Sequence, residues 1–404
     1  MPVIYLGQYW IVGDIFVILR RIFLNISKML KFISICALCL ACWQSTNAAS
    51  HSYIECDSIT CNLQDFAYLT AYTEANYAAF PAIIKGGFGE RYCQMKDSLK
   101  CDIETGKMGI KQATCEYAYW FNSQFDAHYY VDDHLFWRVY KRKDTPDYAH
   151  LMEYAPQTLS TRINKHTFMI RIPSCAGKNP TNEWVTNAVS EFMGSKCKNL
   201  IIDIRGNSGG SDEIWAPLIS LLIDHKALAP EAYWFRNTYA NRTNNSMQDW
   251  LKTQVADFDK STKSFLLMGA DEDDDDTDEI PPHDTNIHIA FIIDRRTASS
   301  AETILRIARN FTDRERYAIY GKENSAGAAE TGNLVPFHLP HSRIQVYYPI
   351  SLSSSFLSGA EQHNGASGIS PDVKIDLPYP AKLTDNIDTW TQYVAKQMQT
   401  RKKH

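Results

Sequence analysis

Four apolar runs, each too short to be a buried helix, constrain this chain most: Thr167-Phe-Met-Ile-Arg-Ile, Leu200-Ile-Ile-Asp-Ile, Ile287-His-Ile-Ala-Phe-Ile-Ile-Asp and Tyr317-Ala-Ile-Tyr-Gly. Runs of this length, rich in β-branched residues, read as strands covered on both faces. Helical stretches separate them, for example Trp184 to Met193 and Ser300 to Asn310. Buried strands alternating with helices imply an α/β domain. A later run, Ile344-Gln-Val-Tyr-Tyr-Pro-Ile, reads as a strand of a closing β element, and Asp385 to Met398 as a surface helix.

The segment before the strands has a different period. From about residue 60 to 127 apolar and tyrosyl side chains recur three to four apart, as in Phe66-Ala-Tyr-Leu-Thr-Ala-Tyr-Thr-Glu-Ala-Asn-Tyr and again from Tyr117 to Phe125. This predicts a small helical N-terminal domain over 49–165, ahead of an α/β core over 166–378 and a C-terminal helix with a basic tail over 379–404. Residues 1–48 are a start and a leader: Met29-Leu-Lys-Phe opens an apolar run, Ile33 to Cys42, followed by Gln44-Ser45-Thr46-Asn47-Ala48-Ala49. A basic start, a brief apolar stretch and small residues at the cut describe a signal peptide, Met29–Ala48, with Thr46 and Ala48 at its −3 and −1 positions. The implied location is periplasmic or extracellular. A lipid anchor at Cys42 or a membrane anchor within the N-terminal segment is the alternative, although Arg20-Arg21 interrupt the earlier apolar stretch.

Charge and cysteine content exclude several classes. A net charge of −5, with no basic stripe, argues against a nucleic-acid partner. Of ten cysteines, Cys36, Cys39 and Cys42 would leave with the leader, and seven remain. In an oxidising compartment Cys56/Cys61 and Cys175/Cys197 are plausible bridges, although spacing alone does not fix connectivity. No cysteine or histidine set has zinc-ligand spacing, and nothing calls for a metal or organic cofactor. The acidic run Asp271–Glu279 reads as a solvated loop, since it lacks the glycine and terminal glutamate of an ordered calcium loop.

Two turns carry chemistry. Leu200-Ile-Ile-Asp-Ile-Arg-Gly-Asn-Ser-Gly-Gly runs from a strand into a turn where adjacent glycines let the backbone approach a substrate and present N–H donors. No Lys-Ser/Thr follows them, which argues against a nucleotide loop. Asp294-Arg-Arg-Thr-Ala-Ser-Ser-Ala-Glu302 lies between the next strand and a helix, placing Ser299 and Ser300 at the helix N-terminus. There the unpaired N–H groups and dipole favour developing negative charge, although Ser299 and Glu302 also suit a simple capping box.

Together, Asp203-x-Arg205-x-Asn207-x-Gly209-Gly210, then Thr297-Ala-Ser-Ser-Ala-Glu302, then Gly368-Ile-Ser-Pro-Asp372-Val373, resemble the tail-specific (C-terminal-processing) serine peptidases over roughly residues 130 to 378. The resemblance implies a ClpP/crotonase-like core, Ser299 as nucleophile, and an oxyanion hole drawn from Gly209, Gly210 and Ser300. Asp203, Arg205 and Asn207 would brace the turn. Two departures stand out. The position of the lysine that many members use falls on Ala326 or Gly327, Lys322 lying too early, and no segment before Thr167 is long enough for a PDZ domain. Both fit a branch similar to tricorn protease, which uses Ser, His and Glu. That branch implies a base within Asp132-Asp133-His134-Leu135, hence His134, with His128 the nearest competitor, and Glu361 as the third group. The expected function is peptide-bond hydrolysis in proteins or peptides by acyl-enzyme chemistry. The rivals are an inactive homologue that binds peptides or another ligand in the same cleft, and an acyl-CoA enzyme of the same superfold, which export disfavours.

Overall fold

The computed structural model describes residues 58–131, 156–226, 232–255, 258–269, 286–359, 368–380 and 387–400. In chain order the main elements are α1 (Ile59–Asn76), α2 (Gly89–Glu104), α3 (Ile110–Gln124), β1 (Tyr130–Val131), β2 (Leu159–Arg162), β3 (Thr167–Arg171), α4 (Asn182–Gly194), β4 (Asn199–Asp203), β5 (Tyr233–Arg236) and β6 (Phe265–Met268). The chain continues with β7 (His288–Ile292), α5 (Ser300–Phe311), β8 (Tyr317–Gly321), β9 (Thr331–His338), β10 (Gln345–Ser353), β11 (Val373–Lys374) and α6 (Thr389–Thr400). The four apolar runs are thus β3, β4, β7 and β8.

These four are parallel neighbours in a six-stranded sheet of order β11-β8-β7-β4-β3-β2, in which β11 is also parallel and only the edge strand β2 is antiparallel. Strand periodicity explains why they are apolar throughout: alternate residues serve opposite faces. Phe168, Ile170, Leu200, Ile202, Ile289, Phe291 and Ile319 pack with α4 and α5, whereas Met169, Ile201, Ala290, Ile292, Ala318 and Tyr320 pack with α6. The C-terminal helix is therefore more than a surface helix, because Trp390, Val394, Ala395 and Met398 close the second face.

The N-terminal helices do not stand alone. Their apolar faces (Phe66, Leu69, Tyr92, Tyr117 and Phe121) share one core with a second sheet, in which β10 pairs with β1, β5 and β9, and β5 with β6, all antiparallel. Aromatic contacts tie the two, Tyr72 stacking on Phe337 of β9 at 4.2 Å. The expected Cys175–Cys197 bridge is absent. Both thiols are free and buried; Cys175 Sγ lies 3.3 Å from Asn207 Nδ2, and Cys197 Sγ 3.9 Å from the Asn164 carbonyl. Each sulfur is committed to its own local packing. Cys56 lies outside the described residues, as do the leader, the acidic run, His134 and Glu361. Among the described residues no helix is long and apolar enough to cross a membrane.

Candidate active site

In a parallel sheet, loops leaving the C-terminal ends of adjacent strands converge on one edge, where sites form. β4 and β7 are such neighbours, and their exit loops are the two turns singled out by sequence. They are stitched together. Ala298 N–H donates to the Asn207 carbonyl (2.9 Å), the Thr297 hydroxyl to the Ile204 carbonyl (3.1 Å), and Gly206 N–H to the Asp294 carboxylate (3.1 Å).

Ser299 sits between the β7 turn and α5 with φ 54° and ψ −123°. A side chain in that left-handed region costs of order 1–3 kcal/mol and persists only where the surroundings impose it. A sharp strand-to-helix turn of this kind presents a serine hydroxyl beyond the sheet edge, ahead of the helix N-terminus. Accessibility separates the two serines. Ser299 keeps 9% of its surface in solvent and Ser300 none. The Ser300 hydroxyl is committed to the Trp215 indole N–H at 2.9 Å, and the same N–H approaches the Ser300 carbonyl at 2.8 Å.

The glycine pair packs directly on the Ser299 turn. Gly209 has φ 99° and Gly210 φ 137°. A methyl group on Gly209 would lie 2.6 Å from Ser299 Cβ, and one on Gly210 2.4 Å from the Cys175 backbone, so neither position admits a side chain. The two differ in their donors. Gly209 N–H is spent on Asn207 Oδ1 at 2.9 Å, whose amide in turn donates to the Ile172 carbonyl at 2.9 Å. No acceptor among the described residues meets the N–H of Gly210 or of Ser300. The pair of donors open to an oxyanion is therefore Gly210 and Ser300, while Gly209 supplies close approach.

Buried charge fixes the glycine turn from behind. Asp203 accepts from Arg205 Nη2 (2.6 Å) and Arg171 Nε (2.8 Å), and Arg205 reaches on to Asp388, at the start of α6, at 2.7 Å. Burial alone would raise the Asp203 carboxyl; Arg205 and Arg171 instead hold it at about 2. Burial pushes the Cys175 thiol up to about 12, against the opposing hydrogen bonds from Ser300 and Asn207.

Glu302 does more than cap. Its carboxylate is fully buried and accepts from Ser299 N–H (3.2 Å), Gly327 N–H (2.9 Å), Ala328 N–H (2.6 Å) and the Ser325 hydroxyl. Burial raises its pKa and these four donors oppose the rise. At the position where the sequence resemblance points to a lysine, Ala326 or Gly327, the chain thus has a backbone loop clamped on a carboxylate. Lys322 is turned elsewhere, its Nζ 5.3 Å from the Tyr379 ring centroid.

The same loop leads to a histidine. Gly327 carbonyl accepts from Ala127 N–H at 3.4 Å, and the next residue, His128, is buried. Its Nδ1 lies 3.1 Å from the Thr331 hydroxyl. Burial lowers its pKa below 6.5, partly offset by Asp126 and the Thr331 carbonyl. The signal for His128 was in the sequence, since Phe125-Asp126-Ala127-His128 has the same Asp-x-His spacing as Asp132-Asp133-His134. Nothing in the sequence marked Trp215 or the clamp on Glu302. No group of three or more His, Cys, Asp or Glu able to hold a metal occurs among the described residues.

The profile of peptidase family S41 matches residues 166–375, more than half of the chain. The chain belongs to peptidase family S41. Its α/β core with a helical N-terminal region agrees with the fold of mature CPAF complexed with lactacystin, at 14% identity and TM-score 0.50, over 85% of this chain and 98% of that one. A lipoprotein from Streptococcus agalactiae is also similar (15% identity, TM-score 0.43, 84% of this chain and 96% of that one). So is the photosystem II D1 C-terminal processing protease (18% identity, TM-score 0.31, 53% and 44%). No curated protein matches the sequence.

Proposed function

We propose that this S41 chain is an exported serine endopeptidase of the tail-specific type, which hydrolyses peptide bonds in proteins or peptides through an acyl-enzyme on Ser299. The observation that carries the reading is the left-handed Ser299 at the start of α5, pressed against a double glycine with two N–H groups left open. A binding module has no need to store backbone strain at a serine. In this reading a histidine Nε2 takes the proton from Ser299 Oγ, the oxygen attacks the scissile carbonyl, and Gly210 and Ser300 N–H hold the oxyanion. The same imidazole then protonates the leaving amine, and water repeats the sequence on the ester.

Two imidazoles compete for that step. His134, the first expectation, lies outside the described residues, and so does Glu361, proposed as the third group. His128 has direct support: Ser299 N–H and Ala328 N–H share one oxygen of Glu302, and the loop just before Ala328 is bonded to Ala127. His128 is therefore the preferred base. Export rests on the leader Met29–Ala48, which makes extracellular or periplasmic proteins the substrate pool.

A fluorophosphonate probe on the mature protein tests the reading. Labelling lost in Ser299→Ala and slowed in His128→Ala but not in His134→Ala supports it. Slowing by His134→Ala alone moves the base, and labelling that survives Ser299→Ala moves the nucleophile. No labelling of the folded wild type favours a ligand-binding homologue instead.

A further inference from the structure

A histidine acts as a base only through the nitrogen that lacks a proton, and which nitrogen that is depends on the partner of the other. Four residues from three distant segments settle this for His128. Asp126 is a carboxylate with three donors: His128 backbone N–H and the Thr331 hydroxyl on Oδ1 (2.9 and 2.7 Å), and the Tyr77 hydroxyl on Oδ2 (2.9 Å). Burial and the neighbouring carboxylate keep the Tyr77 phenol protonated, so it remains a donor. Thr331 has a single proton, and Asp126 takes it. What Thr331 offers the imidazole at 3.1 Å is therefore a lone pair, and Nδ1 must carry the hydrogen. No hydrogen bond is made at Nε2 among the described residues. All four groups are buried, Tyr77 without any exposed surface and His128 with 7%, so water does not scramble the order of donors.

We propose that Thr331 and Asp126 are positioning residues that lock His128 in its Nδ1–H tautomer, leaving Nε2 as the lone pair that receives the Ser299 proton. Its catalytic meaning rests on His128 being the base; the tautomer itself does not. The arrangement also supplies what an orienting carboxylate provides in a three-residue hydrolase site, with a threonine hydroxyl inserted between imidazole and carboxylate. When Nε2 accepts the proton, the imidazolium charge faces Asp126 Oδ1, 3.8 Å from Nδ1, through that hydroxyl.

The test pairs a spectroscopic readout with a rate. Long-range ¹H–¹⁵N spectra of histidine-labelled protein, assigned with His128→Gln, are expected to show Nδ1 protonated and Nε2 bare. Thr331→Val keeps the shape of the side chain and removes the relay. Its His128 signals should move toward the other tautomer, and fluorophosphonate labelling should fall on the order of 10²-fold, the scale of general-base assistance. Thr331→Ser should restore both. A wild-type spectrum with hydrogen on Nε2, or a folded Thr331→Val protein with unchanged spectrum and labelling, overturns the proposal. Labelling that is indifferent to His128→Ala removes the base assignment instead, and the spectra then decide the tautomer on their own.

Discussion

Replacing Gly209 with alanine should disable the site with little loss of fold. The new methyl carbon would lie 2.6 Å from Ser299 Cβ, 2.9 Å from the Ala298 carbonyl oxygen and 3.1 Å from Ser300 N. Two of these three atoms are backbone and cannot rotate away. Carbon atoms rest near 3.5–4.0 Å, so the Ser299 turn must retreat by roughly 1 Å. A misplacement of ~1 Å in a reacting group costs ~10²-fold in rate. The structural penalty is modest: overpacking costs ~1–3 kcal/mol, and a side chain at φ 99° adds about 1–2 kcal/mol. Gly87→Ala isolates the second contribution, because Gly87 has φ 89° with nothing within 4 Å of the added methyl. Both variants should show lowered melting temperatures, but only Gly209→Ala should lose probe labelling, measured as a rate per folded molecule. If Gly209→Ala labels as fast as Gly87→Ala, the close approach of the glycine turn to Ser299 is not what sets the nucleophile.

The buried polar groups give three more expected outcomes. Glu302→Gln turns an NH₂ toward donors that a carboxylate oxygen now satisfies. Each unsatisfied buried donor costs about 1–3 kcal/mol, so the variant should melt lower and label more slowly than wild type. Asp388→Ala removes a carboxylate that both Arg171 and Arg205 reach, so each buried guanidinium loses one negative partner. Breaking a buried pair costs ~3–5 kcal/mol, which urea unfolding will register although Asp388 is remote in sequence from the Ser299 and glycine turns. His128 has a folded pKa below its unfolded value of 6.5, so below that pH the unfolded chain binds the proton first. Its stabilising contribution is complete above 6.5 and is lost as pH falls through the folded value. Melting temperature should therefore drop on the acid side less steeply in His128→Gln than in wild type, and the labelling rate should be level above 6.5.

The core was legible because burial on both faces leaves a signature that polar substitution cannot mimic. β4, with Leu200-Ile-Ile, and β7, with Ile289-Ala-Phe-Ile, announce themselves as strands, and each must give way to a turn at one edge of the sheet. The place of Ser299 and the glycine pair at that edge was readable for that reason. The split of labour within the pair was not. Whether Gly209 or Gly210 keeps a free N–H depends on where the Asn207 side chain folds back, a tertiary outcome. The clamp of Glu302 on residues 325–328 was hidden likewise, since a glutamate three residues after a serine is the ordinary mark of a helix start. His128 and His134 carry the same short motif six residues apart, and the packing of Thr331 and Asp126 around His128 could not be read from that motif. The Cys175 and Cys197 thiols suggested a bridge by count and compartment, but their sulfurs are turned to different neighbours.

The central claim is peptide-bond hydrolysis through an ester on Ser299, and mass spectrometry of a peptide library incubated with protein lacking residues 1–48 addresses it most directly. New termini should accumulate with wild type and not with Ser299→Ala, and acid quenching during turnover should leave an acyl group mapped to the tryptic peptide that contains Ser299. An intact library after long incubation with folded wild type, or cleavage that persists in Ser299→Ala, would contradict the account.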